Sequence, residues 1–357
     1  MAGNGNVPAT VTTCPIPTGM ADLTAEWLSC ALPRPVRDVE RQQIGTGQIA
    51  DSVRLSITFE DGERTSLVAK VTSAVEASRQ AAIMTRTYEK EVGFYSDLAA
   101  ELPVRTPRCW WTGFEQSTAA YCVLLEDLAP AEQGDQMRGC SVDEAALAID
   151  EVALLHGPLW DSPGLDARFP WLGRGGGTTD PGTGSLIEML LKGFLERYES
   201  RLPNDVVELA QRYVPQLAQR GAPGGPQTIV HGDFRNDNLM FGGGDGRVCV
   251  LDWQTPGIGN GVSDLSYFLG GSLLVEDRRA HERELLDRYR TGLSKHDVEL
   301  SHDECWAAYR RSAFSGLNMA IIASMLVGRT ERGDDMFMAM AERAGRHALD
   351  LDSETLL

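Results

Sequence analysis

From Ile229 the chain reads Ile-Val-His-Gly-Asp-Phe-Arg-Asn-Asp-Asn-Leu-Met-Phe, and after a glycine-rich turn it continues Val248-Cys249-Val250-Leu251-Asp252-Trp253. No other segment limits the chemistry of the chain so sharply. It sets an acid, Asp233, on a short loop, an amide, Asn238, five positions later, and a second acid, Asp252, at the end of a strand. Asp233 is placed to take a proton from an attacking hydroxyl, and Arg235 to neutralise a phosphoryl group in transit. Asn238 and Asp252 offer oxygen ligands of the kind magnesium accepts when it is bound to nucleotide phosphates. Gly242-Gly243-Gly244-Asp245-Gly246 turns one short strand into the next.

The bulk properties narrow the partners. At 357 residues the chain suits two lobes or two small domains better than one core. A net charge of −18 argues against nucleic acid and against an anionic membrane surface, since both would repel it. The same charge permits a cationic substrate, although solubility alone explains it as well. Seven cysteines are scattered, with no Cys-x-x-Cys pair, so a reduced, cytoplasmic protein is expected. The Gly-, Thr- and Pro-rich beginning has no apolar run of the signal-peptide type. The most apolar late segment, Ala313 to Val327, is short and polar enough to read as a buried helix rather than a membrane span.

Hydrophobic periodicity divides the chain into an N-terminal leader with a short helix (1–35), a nucleotide-binding lobe (36–128) and a helical catalytic and substrate-binding lobe (129–357). Thr24 opens the short helix, with Trp27 and Leu28 as anchors. Val53, Leu55, Ile57 and Phe59 alternate with polar residues, Asp61-Gly62 makes a hairpin turn, and Ser66 to Val71 returns. A single helix is expected from Ala74 to Ala100, where Tyr88, Val92, Tyr95 and Leu98 recur at helical spacing. Arg108 to Gly113 and Tyr121 to Leu125 add two more strands. After Pro130 the composition turns helical, beginning with a capping box at Ser141 and Glu144. The fold class is therefore α+β: a small antiparallel sheet with one helix, then a larger, mostly helical part.

Within the first part, Gly45 and Gly47 are placed to let backbone amides approach a triphosphate. Lys70 interrupts the apolar strand Leu67-Val68-Ala69-Lys70-Val71, and a charge there needs a partner. The phosphates of a nucleotide and a helix carboxylate would supply one. Glu91 is preferred for that carboxylate over Glu89, which lies on another face of the helix. The carbonyl of Glu126 and the amide of Leu128, at a strand end, are the expected pair for a purine edge. Asp264 is read first as a helix N-cap and second as a brace for the catalytic loop. His156 is expected to be packed and structural, and His231 to hold the shape of the loop.

At these residues the chain resembles a known family. His-Gly-Asp-Phe-Arg-Asn-Asp-Asn (231–238) with Leu251-Asp252-Trp253 looks like the catalytic segment of the aminoglycoside phosphotransferase family. That family sits within the protein-kinase-like superfamily, which also includes choline, ecdysteroid-type and hydroxyacyl-CoA kinases. Val68-Ala69-Lys70, Glu91-Val92-Gly93-Phe94-Tyr95, Leu124 to Leu128, Leu154-Leu155-His156 and Ser263-Asp264-Leu265 support the resemblance in the family's order. It implies a two-lobed protein-kinase-like fold, ATP (or GTP) with Mg2+, and transfer of the γ-phosphoryl group to a hydroxyl of a small molecule. It puts Asp233, Asn238, Asp252, Lys70 and Glu91 in the roles reached above. Two departures matter. Trp253-Gln254 stands where many relatives carry another acid, and the Asp-Phe-Gly and Ala-Pro-Glu signatures of protein kinases are absent, which disfavours protein substrates.

The expected acceptor is an aminoglycoside-like or other cationic natural product, with Glu276, Asp277 or Asp334 to receive ammonium groups. The alternatives are a neutral natural product, a sugar or a hydroxyacyl-CoA, and, in another class, a nucleotide-binding pseudokinase scaffold. A monomer or homodimer is expected.

Overall fold

A strand with one covered face alternates buried and open positions, and the stretch from Val53 to Phe59 follows that rule. The computed structural model describes residues 14–45, 49–174, 181–217 and 225–356; Gly47 lies outside them. The described chain divides into two compact units, Met1–Pro130 with Asp252–Gln254, and Ala131–Leu251 with Thr255–Leu357.

In the first unit, helix α1 (Ala25–Ala31) starts where the Thr24 side chain accepts a hydrogen bond from the Trp27 amide, and Trp27 and Leu28 are buried. Strands β1 (Val36–Ile44), β2 (Ala50–Phe59) and β3 (Arg64–Thr72) follow. After them come helices α2 (Glu76–Thr85) and α3 (Thr87–Gly93), then β4 (Cys109–Glu115) and β5 (Ala120–Glu126). The five strands form one antiparallel sheet in the order β1-β2-β3-β5-β4. Val53, Leu55, Ile57 and Phe59 point into one core with Leu67, Ala69, Val71, Trp27 and Trp111. The turn at Asp61-Gly62 closes the β2–β3 hairpin.

Strand β1 was not legible in the sequence. Its residues are mostly charged or polar, and only Val36 is fully buried. It is an edge strand, and charge on an edge discourages pairing with other chains rather than advertising a core.

The helix expected from Ala74 to Ala100 is broken. Arg86 adopts a left-handed conformation with φ 58° and closes α2 on the carbonyls of Ala82 and Ile83. Its guanidinium then holds Glu89, in the first turn of α3, at 2.7 and 2.8 Å. A single π-helical turn (Phe94–Leu98) carries the chain on. The apolar spacing survived because Tyr88, Tyr95 and Leu98 are still buried on either side of α3's end. The expectation of scattered, reduced cysteines also fails at one pair: Cys14 and Cys30 form a disulfide that ties the segment before α1 to that helix.

The second unit begins with β6 (Glu132–Gln133) and α4 (Val142–His156), the latter opened by the capping box of Ser141 and Glu144. It continues through α5 (Leu165–Arg168), β7 (Gly173–Arg174), α6 (Pro181–Tyr198), α7 (Asn204–Leu217) and β8 (Thr228–Val230). Then come β9 (Leu239–Phe241), β10 (Cys249–Val250), β11 (Gly257–Gly259) and α8 (Val262–Ser272). The last helices are α9 (Val275–Ser294), α10 (His302–Ser312), α11 (Ser315–Leu326) and α12 (Glu331–Asp350). The short strands form two three-stranded sheets, β10-β9-β6 and β7-β11-β8.

Helix α8 is the centre of this unit: every residue from Asp264 to Ser272 is buried. A helix buried on all sides must satisfy each of its polar side chains internally. Ser266 does so by donating to the Tyr309 carbonyl at 2.9 Å. The apolar segment near residue 320 forms α11, where buried Asn318 accepts a hydrogen bond from the Tyr213 hydroxyl at 2.6 Å. No helix among the described residues is long and apolar enough to cross a membrane.

Candidate active site

Lys70 lies on β3, between β2 and β5, opposite Ser52 and Val123. A lysine at the middle of a sheet keeps its charge only if anions surround it. Its Nζ lies 2.7 and 2.8 Å from the two carboxylate oxygens of Glu91 on α3 and 2.7 Å from Oδ1 of Asp252. Burial works against that charge, but Asp252 and Glu91 together outweigh it and hold the ammonium above its ordinary pKa. Glu89, the rival carboxylate, faces away and pairs with Arg86.

Glu91 is itself fully buried and takes a second donor, the Tyr121 hydroxyl from β5. Burial, and then the charge of Glu91, push the Tyr121 phenol well above its usual pKa, so it stays a donor. The Tyr121 ring stacks on Tyr88 at 4.2 Å, and the Tyr88 hydroxyl donates to the Ile49 carbonyl at 2.7 Å. Sequence reasoning missed Tyr121, whose only sign was a polar tip within an apolar strand.

Asp252 has φ 61°, a conformation that costs a non-glycine residue energy and persists only where its surroundings hold it. Trp253, fully buried, stacks on Phe94 at 3.7 Å with rings 3° from parallel. This stack anchors the residue after the acid, where a smaller side chain would leave it loose.

Gly45 has φ 68°, a conformation that glycine adopts without cost, and among the described residues nothing lies within 4 Å of where a Cβ would stand. At the end of β5, the Glu126 carboxylate is held by Arg105 Nη2 at 3.1 and 3.2 Å and by the Arg108 amide at 3.0 Å. Asp127 is anchored by the Ser66 hydroxyl at 2.5 Å and Arg54 Nε at 2.8 Å. Among the described residues the Leu128 main-chain amide has no hydrogen-bond partner. The strand end is thus fixed by these side chains and by the Glu126 amide, which donates to the Arg108 carbonyl at 2.8 Å.

In the second unit, the loop after β8 carries the candidate base. Gly232 has φ 79°, and a Cβ on it would meet the Thr255 carbonyl oxygen at 2.4 Å. Asp264 lies inside the first turn of α8, whose N-cap is Gly261, and it does not cap that helix. Instead its two oxygens accept from the amides of His231 at 2.6 Å and Gly232 at 3.0 Å. The N-cap expectation is therefore corrected: a capping carboxylate bonds its own helix, and this one is turned outward to the loop. His156 sits beneath it, with Nε2 3.3 Å from Asp264 and Nδ1 2.8 Å from the Tyr289 hydroxyl. His231 accepts from the Asp233 amide at 3.2 Å through Nδ1, so Nε2 carries the proton and donates to the Leu251 carbonyl at 2.8 Å.

The Asp233 carboxylate takes three donors. Oδ2 accepts from Arg235 Nε at 3.1 Å and from Asn238 Nδ2 at 2.9 Å, while Oδ1 accepts from the Tyr267 hydroxyl at 2.8 Å. Asn238 Nδ2 also donates to the Asp233 carbonyl at 2.8 Å. The nitrogen end of that amide faces two oxygens, so its oxygen end is the one left for a cation. Arg235 Nη1 bonds Asp237 at 2.5 Å. Burial opposes the Arg235 charge, but Asp233 in particular outweighs it and keeps the guanidinium firmly protonated. Arg235 is thus clamped between two acids of its own loop, where the sequence suggested a group facing the phosphoryl. Asp237 and Tyr267 were both missed.

Among the described residues of this unit, two of the three carboxylates suggested for a cationic acceptor, Asp334 and Glu276 but not Asp277, have partners. Asp334 accepts from the Tyr198 hydroxyl at 2.6 Å and Arg329 at 2.7 Å, and Glu276 pairs with Arg279 at 2.8 Å. Among the described residues no three His, Cys, Asp or Glu side chains form a group able to hold a metal.

Residues 41–304 match the model of the phosphotransferase enzyme family. The chain belongs to that family. A candidate aminoglycoside phosphotransferase of Ralstonia eutropha superposes with a TM-score of 0.52 at 15% identity, covering 91% of this chain and 97% of that one. The choline kinase LicA of Streptococcus pneumoniae superposes at 0.50 with 14% identity, covering 89% and 96%. At those identities the likeness is one of fold, and the fold is protein-kinase-like: an antiparallel sheet unit followed by a mostly helical one. A curated relative, a probable acyl-CoA dehydrogenase of Arabidopsis thaliana, is 36% identical over 64 residues, 18% of this chain but only 7% of that protein. The chain therefore spans less than a tenth of the length of that relative.

Proposed function

We propose that this protein is an ATP-dependent O-phosphotransferase that moves the γ-phosphoryl group to a hydroxyl of a small molecule. The observation that carries the proposal is the joint engagement of Asp233 by Arg235, Asn238 and Tyr267, which fixes a carboxylate on a loop of a phosphotransferase-family chain. In this reading Asp233 accepts a hydrogen bond from the acceptor alcohol, aligns it, and takes its proton as the new O–P bond forms. Lys70, held by Glu91, positions the nucleotide phosphates. Gly45 and Gly47 let backbone amides approach them, and Glu126 and Leu128 meet the purine through main-chain atoms. Asn238 and Asp252 would hold magnesium, which neutralises charge on the phosphates when bound. Arg235 keeps the Asp233 carboxylate oriented and lends its positive charge to the loop. GTP is the alternative donor.

The acceptor class is narrowed by charge. Asp334 and Glu276 are already paired with arginines, which weakens the case for an ammonium-bearing acceptor. A second reading, transfer to a hydroxyacyl thioester, draws support from the short match to an acyl-CoA dehydrogenase protein. The net charge of −18 counts against it, since CoA is an anion.

The experiment is a screen of aminoglycosides, sugars, neutral alcohols and hydroxyacyl-CoA thioesters with MgATP, read by the mass gain of one phosphoryl group. A product with one of these acceptors, lost in Asp233→Ala, supports the proposal. ATP binding with no transfer to any of them, nor to water, would favour the pseudokinase scaffold.

A further inference from the structure

Two polar residues on α8 face the catalytic loop together. Asp264 and Tyr267 are three residues apart, so one helical turn presents both side chains on the same side. Asp264 holds the loop's backbone through the amides of His231 and Gly232. Tyr267 reaches the side chain that the first contact positions, donating to Asp233 Oδ1 at 2.8 Å.

The hydrogen bonds at Asp233 divide unevenly between its oxygens. Oδ2 receives two donors, Arg235 Nε and Asn238 Nδ2, which occupy both of its in-plane lone pairs. Oδ1 receives one, from Tyr267, and keeps one lone pair. A carboxylate with this distribution has one direction open to an incoming alcohol, and without Tyr267 it would have two. The Tyr267 ring cannot swing away easily. It is 7% exposed, it flanks Gly316 of α11, and neighbouring Phe268 packs edge-to-face against Phe234 of the loop at 5.3 Å.

We propose that Tyr267 is a positioning residue for phosphoryl transfer: its hydroxyl fixes the rotamer of Asp233 and reserves one lone pair of Oδ1 for the acceptor's hydroxyl. This rests on the function proposed above, in which Asp233 aligns the acceptor. Tyr267 touches neither nucleotide nor metal ligand in this scheme, and it acts only through Asp233.

The test compares wild type, Tyr267→Phe, Asp233→Asn and the double variant, with water as the acceptor and MgATP as the donor. Phenylalanine keeps the ring and its packing, so the fold is retained, and the melting temperature checks this. The expected result is a kcat lowered about tenfold in Y267F with KM for MgATP unchanged, a loss in line with one misaligned proton-accepting group. In the Asp233→Asn background the same change lowers the rate no further, because a residue acting through Asp233 has nothing left to act on. Wild-type kcat in Y267F, or an equal loss in both backgrounds, would overturn the proposal. If wild type transfers no phosphate to water, the same four proteins are compared with any acceptor found in the screen above; no transfer to any acceptor fails the phosphotransferase reading, and crystal structures of wild type and Y267F decide the present point separately. Asp233 moved to a second rotamer in the variant supports the role, and an unmoved carboxylate refutes it.

Discussion

Lys70 and Asp252 form a direct ion pair, Nζ to Oδ1 at 2.7 Å, on a lysine that also grips both oxygens of Glu91. A cation flanked by two carboxylates is costly to remove when one of them is buried. Glu91, fully buried, would keep only the Tyr121 hydroxyl. Lys70→Met is therefore expected to destabilise this unit by about 3 kcal/mol or more, as when one partner of a buried pair is removed. Tyr121→Phe removes one hydrogen bond and keeps the ring stack, and should cost about 1–2 kcal/mol. Urea denaturation of the two variants gives the ranking directly, and equal midpoints would contradict it.

Gly232 leaves no room for any other residue. Its φ is 79°, and a Cβ would stand 2.4 Å from the Thr255 carbonyl oxygen, a backbone atom with little freedom to retreat. Gly232→Ala should combine backbone strain with a clash and destabilise by about 2–4 kcal/mol. Turnover should fall with it, because the neighbouring amides are the ones Asp264 holds. A melting temperature within a degree of wild type would show that the loop yields more readily than described.

Asp264→Ala tests the brace under the catalytic loop. The substitution strips the amides of His231 and Gly232 of their acceptor and deprives His156 of a partner. Orphaning one buried and one half-buried donor is expected to cost about 2–4 kcal/mol, and to lower kcat with nucleotide affinity retained. Asp264→Asn keeps one carbonyl oxygen and should recover part of the loss. If alanine and asparagine behave alike, the side chain's oxygens are not what holds the loop.

Acid sensitivity should trace in part to His347. It is fully buried on α12, and among the described residues neither ring nitrogen has a hydrogen-bond partner. Burial, and then the nearby Arg278 charge, hold its pKa well below the ordinary value of about 6.5. A group whose folded pKa is depressed contributes its full stability above the unfolded value and loses it as pH falls. Stability should therefore decline on acidification below about pH 6.5, with a slope of up to about 1.4 kcal/mol per pH unit from this one residue. Denaturation midpoints at pH 7.5 and 5.5 measure the decline, and His347→Leu should flatten it. A variant with the wild-type slope would assign the effect elsewhere.

What the sequence disclosed, and what it hid, follows from how far apart the partners lie. Strands β2 and β3 were readable because Val53, Leu55, Ile57 and Phe59 alternate within one short window around a turn at Asp61-Gly62. Lys70 announced itself as a charge inside an apolar run, and the helical face of Glu91 made it the better partner than Glu89. By contrast, β1 buries too little to show a pattern, and the break at Arg86 is a backbone conformation that side-chain periodicity runs straight through. The partners of polar groups were the least legible. Nothing local says that Asp264 turns away from its own helix, that Tyr121 meets Glu91, or that Tyr267 meets Asp233, 34 residues earlier. Those pairings exist only once the elements pack. The disulfide of Cys14 and Cys30 is of the same kind, because spacing alone offers no geometry for it.

We propose above that Asp233 aligns and deprotonates an acceptor hydroxyl in a nucleotide-dependent phosphoryl transfer. The most direct measurement is the rate of phosphoryl transfer from MgATP by wild type and Asp233→Ala, with nucleotide affinity measured in parallel by calorimetry. With Asp233 as the proton acceptor, kcat falls at least about a hundredfold in the variant, while the dissociation constant for nucleotide changes by no more than about threefold. Equal rates in the two proteins would contradict it.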